Sequence, residues 1–577
     1  MSKIAPLQRF RAVRGAGEGS ERSEPVKPRL EDFFAGTATT CACARVEPRQ
    51  NPLRRRPWPV SPPPVRPPAG PAPQAHPPPP PATAVPRPTS PGRHPGAPAA
   101  GPRLLLPPPP ASTRSRVLLL LALFVLAQLA VGFWASRRIG SEDDYLVAGR
   151  RLGPFLATTS IFATWFGAES CIGAAGNAYS HGLRADTTEP FAYGLCLVLM
   201  GVFFAARLHS ERITTLADFF RRRFGAGPER LAAVLLLPSS LLWAAAQVRA
   251  FGHIVATNSD GALAEATGTW IAAAVAVVYT VSGGLLADVY TDVVQGALLL
   301  FGIAALAIAV WCNMPAVADT GTAVAAAAAV EAEAIGGLAI VESWALPICG
   351  SIVAQEALSR CLAARSPSIA RRAAIAGGAL YLVVGVVPLA MGVVGPRLAP
   401  DLADPEALLP HLSAQLLPPA LNLLFAGALI SAILSTVDSC FLVAASIVVR
   451  NLLPHREGSA GNLARARCAA ALAGAVALGL ALSGWNVKQL VEQASGFGSA
   501  GVFVLAVFGV YSRLGGPRAA AGALLGGLGS WILGGYAFPD HVPYPYLTSL
   551  GVAFCGFAVG AVADRLARTS RRTGAVP

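Results

Sequence analysis

Residues 160–179 read SIFATWFGAESCIGAAGNAY. The run is apolar enough to lie in a bilayer, yet it carries Gly167, Gly173, Gly176 and, near its middle, the carboxylate of Glu169. Glycine weakens a helix and lets backbone carbonyls leave the hydrogen-bond ladder. Carbonyls freed in this way can hold a cation or a polar solute. Small residues serve close helix packing equally well, and residue physics alone leaves both readings open.

Other stretches share this character. Residues 428–446 read ALISAILSTVDSCFLVAAS. Ala432, Ser435, Thr436 and Ser439 fall at i, i+3, i+4 and i+7, so they share one face of a helix. Such hydroxyls can give oxygen ligands to a hard cation, or bond back to their own helix carbonyls. Asp438 beside them needs a partner or a function. Residues 283–296, GGLLADVYTDVVQG, place Asp288 and Asp292 near the start of another span. A further span holds Glu342, Trp344, Pro347 and Gly350, then runs into AQEALSRCLAARS at 354–366. Proline and glycine predict a break there too.

The whole chain fits this picture. Of its 577 residues 53% are apolar and 14% charged, against about 25% charged in a soluble domain. Thirteen spans are predicted: 117–135, 156–179, 190–206, 231–256, 268–282, 285–311, 336–358, 373–395, 418–447, 468–484, 490–511, 519–537 and 545–563. With that count, loops on one side, with the C-terminus, carry 24 arginines, among them Arg360; the other side carries Arg184, Arg397 and Lys488. Basic residues favour the cytoplasm, so the first span begins outside and the C-terminus is cytoplasmic. The two broken spans lie five apart. Spans 2–6 (156–312) and 7–11 (336–511) then form two five-span halves of opposite orientation, an inverted repeat. The expected fold class is an all-α polytopic membrane protein, with 116–155 added before the halves and 512–577 after them.

The net charge of +14 does not point to nucleic acid. Residues 1–116 hold 18 basic and 6 acidic residues, and 51–110 contain 25 prolines. Residues 1–115 are read as a Pro/Arg-rich disordered tail, or as sequence upstream of the true start. Eight of the ten cysteines lie in or beside apolar stretches and read as small buried hydrophobes; Cys41 and Cys43 form a lone Cys-x-Cys. No Walker motif is present, so ATP drive and enzymatic chemistry are not expected.

Four motifs, in order and at matching spacing over about 117–563, resemble the sodium:solute symporter family: YLVAGRRLGPF at 145–155, SGGLLADVYTDVVQG at 282–296, QEALSRCLAARS at 355–366 and SAILSTVDSCFLVAAS at 431–446. The resemblance implies a LeuT-type fold and Na+ as coupling ion, held by the carbonyls of Ala163, Phe166 and Ala432 and the hydroxyls of Ser435 and Thr436. It also implies a sodium-exit or gating role for Asp292, whose alternative is to cap the start of its span. Trp165, Glu169, Trp243, Gln247, Trp344 and Gln355 are candidate substrate contacts by depth. Glu169 would suit a cationic or hydroxylated solute, or pair with Arg249.

The resulting expectation is sodium-coupled uptake of a small organic solute by alternating access, in the cytoplasmic (inner) membrane. The lipid bilayer is the expected partner besides the solute, with no nucleic acid, no ATP, no transition metal, and a monomer as the default state. The alternatives are a proton-coupled carrier using Glu169, Asp438 or Glu342, a transporter-like sensor, and a passive channel.

Overall fold

The computed structural model describes residues 141–259, 263–314, 336–454 and 461–573, with scattered positions between 123 and 137. The expected tail, Cys41, Cys43 and most of the first expected span lie outside the described residues.

Among the described residues the structure is helical, with one isolated parallel bridge between Leu152 and Ala364. α1 (Glu142–Val147) is capped by the Ser141 hydroxyl, which accepts from Asp144 N at 3.1 Å. α2 (Pro154–Trp165) starts on proline, which fits the first turn because no amide partner is needed there. It stops at Phe166, whose φ of −90° and ψ of 77° leave the helical region. The chain resumes as a π-type turn, Glu169–Gly173, and then α3 (Ala174–His181). The glycine-rich stretch is therefore a broken helix.

α4 (Phe191–Ser210) is followed by α5 (Leu216–Phe224), which opens with a reciprocal capping box between Thr215 and Asp218. α6 (Ala226–Asn258) leads to α7 (Glu265–Asn313), in which Gly284 has φ 54° and ψ −175°. In a straight helix Tyr279 and Thr291 would stand about 18 Å apart along the axis. Their hydroxyls instead hydrogen-bond to each other, so the chain reverses at Gly284 and α7 has two limbs. A Cβ on Gly284 would lie 2.4 Å from the Tyr145 ring, and φ there is positive, so both space and conformation require glycine.

α8 (Gly337–Ser351) and α9 (Gln355–Ala363) form a second broken helix, bent by 40°. α10 (Pro367–Leu398) packs on α4 through Gly378, where a Cβ would sit 2.9 Å from the Gly194 carbonyl. Such close approach is how helices gain contact when lipid is as apolar as they are. α11 (Leu408–Leu416), α12 (Pro419–Ile447) and α13 (Gly461–Ala481) follow. α14 (Val487–Gly496) and α15 (Ser499–Tyr511) are bent by 42° about Gly498, at φ 68°. The sequence reading treated 490–511 as one unbroken span; the pair Phe497-Gly498 breaks it. α16 (Pro517–Ile532) and α17 (Pro545–Thr573) complete the described residues.

Seven of these helices are long and apolar enough to cross a membrane, or nine if each of two bent pairs counts as one span. α12 is the most enclosed; every residue from Phe425 to Ile447 is buried. Large apolar side chains such as Trp311, Val383 and Val559 cover the outside instead, the arrangement expected where lipid replaces water. Cys171, Cys196, Cys361 and Cys440 are buried as expected. Cys312, Cys468 and Cys555 are exposed, a correction to the sequence reading: their spans turn that face outward.

The chain before α2 ties to the end of α9. Leu152 N donates to Ala363 O at 3.1 Å, Arg365 N to Leu152 O at 2.9 Å, and Arg150 reaches the carbonyls of Leu362 (3.0 Å) and Ile213 (2.7 Å).

Candidate functional site

Two polar centres lie inside the bundle. The first forms where α2, the second limb of α7, α9 and α12 meet. Because α2 ends at Trp165, the carbonyls of Ala163 and Thr164 lack the amide one turn on. The Thr436 hydroxyl donates across the gap to Thr164 O at 3.0 Å, and to Ala432 O on its own helix at 3.2 Å. Ser435 donates to one oxygen of Asp292, and Ser160 donates to the other. The structure thus brings α12's Ala432, Ser435 and Thr436 against the end of α2, where Ala163 and Phe166 flank Thr164.

Asp292 is wholly buried well inside the second limb of α7, and it caps no helix. It stands 3.7 Å from the Arg360 guanidinium. Arg360, on α9, is wholly buried as well. Its guanidinium donates to Asp288 and Ser439, and its Nε to Ser160 at 3.3 Å. Counting Arg360 as a cytoplasmic loop charge is therefore corrected: it is the cation that a group of membrane-buried carboxylates requires. Asp438 accepts from Thr280 at 2.9 Å, and Thr280's carbonyl accepts from Tyr145 at 2.9 Å. Oδ1 of Asp288 has no hydrogen-bond partner among the described residues.

The second centre surrounds the break after α2. Gln247 of α6 accepts from Ala168 N through Oε1 (2.8 Å) and donates through Nε2 to Glu169 Oε2 (2.6 Å). Accepting from the backbone orients the carboxamide so that its NH2 faces the carboxylate. Gly167 leaves room for this pair, since a Cβ there would lie 2.7 Å from Gln247 Oε1 and 2.8 Å from Glu169 Oε2. The other oxygen of Glu169 is buried with no partner among the described residues. Trp165 and Trp243 have ring centroids 5.1 Å apart, and Tyr193 stands edge-on to Trp243 at 6.1 Å. Trp165 Nε1 donates to Tyr193 O at 3.3 Å.

Trp165, Glu169, Trp243 and Gln247 are thus brought together, as depth alone suggested. Trp344 and Gln355 are not part of that group. Trp344, half-buried, donates to Ala185 O at 3.0 Å. The Gln355 carboxamide is spent on Leu216 N (2.7 Å) and Thr214 O (3.2 Å), which tie α9 to the start of α5. Arg249 pairs with Glu265 at 3.2 Å, not with Glu169. Glu342 uses both oxygens to cap α17, accepting from Tyr546 N (2.6 Å) and Leu547 N (2.8 Å).

Sequence reasoning missed Ser160, Tyr193, Ser240, Glu356 and Arg360. Ser240, Trp243 and Gln247 at i, i+3 and i+7 of α6 were a legible stripe. Ser240 donates to Glu356 Oε1 at 2.5 Å, and both line a small cavity of about 20 Å³ beside the break after α8, with Trp243 in its wall.

Comparisons with known proteins agree with this architecture. The profile of the sodium:solute symporter family matches residues 145–529. The high-affinity choline transporter 1 of Drosophila melanogaster is 28% identical over 58% of this chain and 56% of its own length. The osmoregulated proline transporter OpuE of Bacillus subtilis (strain 168) is 25% identical over 58% of this chain and 70% of its own. The chain therefore spans less than two thirds of the length of the choline transporter it matches. A solved substrate-bound, outward-open Na+-coupled sialic acid symporter superposes with a TM-score of 0.65 at 17% identity, over 78% of this chain and 98% of that one, a likeness of fold. Broken helices, apolar spans and a profile match over most of its length make this chain a multi-pass membrane protein that belongs to the sodium:solute symporter family.

Proposed function

We propose that the chain is a sodium-coupled secondary active symporter that imports a small organic solute by alternating access. The observation that carries this reading is the Thr436 hydroxyl meeting the Thr164 carbonyl across the break in span two. Ala432, Ser435 and Thr436 lie there against carbonyls that the helix end has freed, and neutral hard oxygens of this kind suit a monovalent hard cation. In this reading the carbonyls of Ala163, Phe166 and Ala432 and the hydroxyls of Ser435 and Thr436 take sodium, and Asp292, bonded to Ser435, receives it on the inward path. Each sodium ion moving inward gains about 2.3 kcal/mol per 100 mV, to which its concentration gradient adds.

The wider architecture belongs to the same proposal: thirteen spans, first span beginning outside and C-terminus cytoplasmic, two inverted halves at 156–312 and 336–511, and added segments at 116–155 and 512–577. The solute sits between Trp165, Tyr193, Trp243 and Glu169, where aromatic faces and a carboxylate suit a cationic group. The name of the choline transporter among the relatives is consistent with such a solute. Buried Glu169, paired with no cation, favours proton coupling as the second reading.

Thermal unfolding of the purified chain in sodium or potassium chloride tests the proposal. Sodium alone should raise Tm, and Ser435→Ala and Thr436→Ala should each remove the rise. Equal Tm values in both salts, with solute uptake driven by a pH gradient, would sink sodium coupling in favour of protons.

A further inference from the structure

Seven carboxylates are buried among the described residues; Glu229 pairs with Arg221 and Asp564 accepts from Ala519 N at the start of α16, which leaves Glu169, Asp288, Asp292, Glu356 and Asp438. Arg360 is the one buried basic side chain set against them among the described residues, and it is spent on Asp288 and Asp292. Asp438 is covered by Thr280. Glu169 and Glu356 are different. Each accepts from a neutral side chain of α6, Gln247 and Ser240 respectively, and neither takes part in an ion pair among the described residues. Carboxyls held in an apolar bundle without an ion pair are neutralised by a proton or by a cation brought from elsewhere.

Their placement says what kind. Ser240, Trp243 and Gln247 lie along one face of α6, so Glu356, the aromatic group and Glu169 follow one another along that face. Seven residues of helix separate the two anchors by about 10 Å. Two nitrogens, each within about 3 Å of a carboxylate oxygen, would then be roughly 5 Å apart. Between them the Trp165 and Trp243 rings offer an apolar surface that also attracts a cation's flank. At the inner anchor the cavity of about 20 Å³ beside Glu356 has room for a group the size of one water. At the outer anchor Glu169 keeps a buried oxygen without a partner.

We propose that the transported solute is a short linear diamine, with one ammonium on Glu169, the other on Glu356, and the carbon chain across Trp165 and Trp243. The proposal rests on the symporter reading and adds the solute class. Glu356 is then a specificity-determining residue, and Ser240 and Gln247 are positioning residues that fix the two carboxylates.

The test uses the purified full chain in sodium chloride, titrated with diaminobutane, butylamine, choline and proline while Tm and binding are followed. Diaminobutane should bind at least about tenfold tighter than butylamine, the difference one charge-assisted hydrogen-bonded contact makes. Glu169→Gln and Glu356→Gln should each bring diaminobutane to butylamine's level, while the rise in Tm caused by sodium alone persists and certifies the fold. The proposal is overturned if butylamine, choline or proline binds as well as diaminobutane, if diaminobutane does not bind, or if both variants keep the diamine preference. Failure of the symporter reading is read separately, as absence of the sodium-only rise.

Discussion

The two broken helices solve the same problem in opposite ways. After α2 the gap is filled by side chains, as Gln247 bonds the exposed amide of Ala168 and presents itself to Glu169. After α8 the gap stays partly open, with a small cavity against Ser240 and Glu356. The halves that follow also differ. All nine residues of α9 are buried, and it delivers Arg360 to the acidic centre. α3 instead borders a cavity of about 350 Å³ that also touches Arg249, His253 and Glu406. One break thus frees backbone oxygen; the other carries a charge to the acidic centre. A broken helix is a scaffold, and what packs into the gap decides its chemistry.

The sharpest way to break this contrast is Arg360→Met. It strands Asp288 and Asp292 without their cation, and a loss of about 3–5 kcal/mol is expected, read as unfolding in detergent. Near-native stability would mean that α9 carries no needed charge. Gly350→Ala comes next. Its Cβ would lie 2.3 Å from the Ser495 carbonyl, which belongs to backbone and cannot swing away, so about 3 kcal/mol is expected. Ser240→Ala leaves Glu356 without its donor, and about 2 kcal/mol is expected in the same assay.

Gly167→Ala should cost less, about 1 kcal/mol, because its Cβ meets movable side chains. It should still displace Gln247 and weaken solute binding more than stability; the opposite ranking would equate the two breaks. The smallest effect concerns the cavity beside α3. Burial raises the Glu406 carboxyl above its ordinary 4.5, an effect opposed by His253. The folded state therefore holds this proton more tightly than the unfolded chain, and stability falls as pH rises through that window. Glu406→Gln should flatten the fall in a series of melting curves taken from pH 4 to neutrality.

Much of this was legible in the sequence because it is local. Glycines in SIFATWFGAESCIGAAGNAY announced the first break, and the i, i+3, i+4 spacing of Ala432, Ser435 and Thr436 put them on one face before any neighbour was known. Arg360 was misread for a physical reason. QEALSRCLAARS looks like a loop by hydropathy, whereas α9 is polar and wholly enclosed by protein, which satisfies it without water. The break at Gly498 was missed because the apolar run after it was extended back across Phe497 into the more polar stretch holding Glu492, Gln493 and Ser495. What pairs with a charge is a long-range fact: Arg360 meets Asp288 across 72 positions of chain, and Ser160 across 200.

The reversal at Gly284 bears on how the protein is made. There is no loop between the limbs of α7, only a glycine wedged on Tyr145. The two limbs are therefore expected to enter the bilayer as a single hairpin during synthesis. The limb bearing Asp288 and Asp292 would then not meet lipid alone, because Tyr279 of the preceding limb is already bonded to Thr291 between them. Residues 265–313 should behave as one insertion unit, and an epitope placed between Gly283 and Gly284 should stop biogenesis rather than report topology.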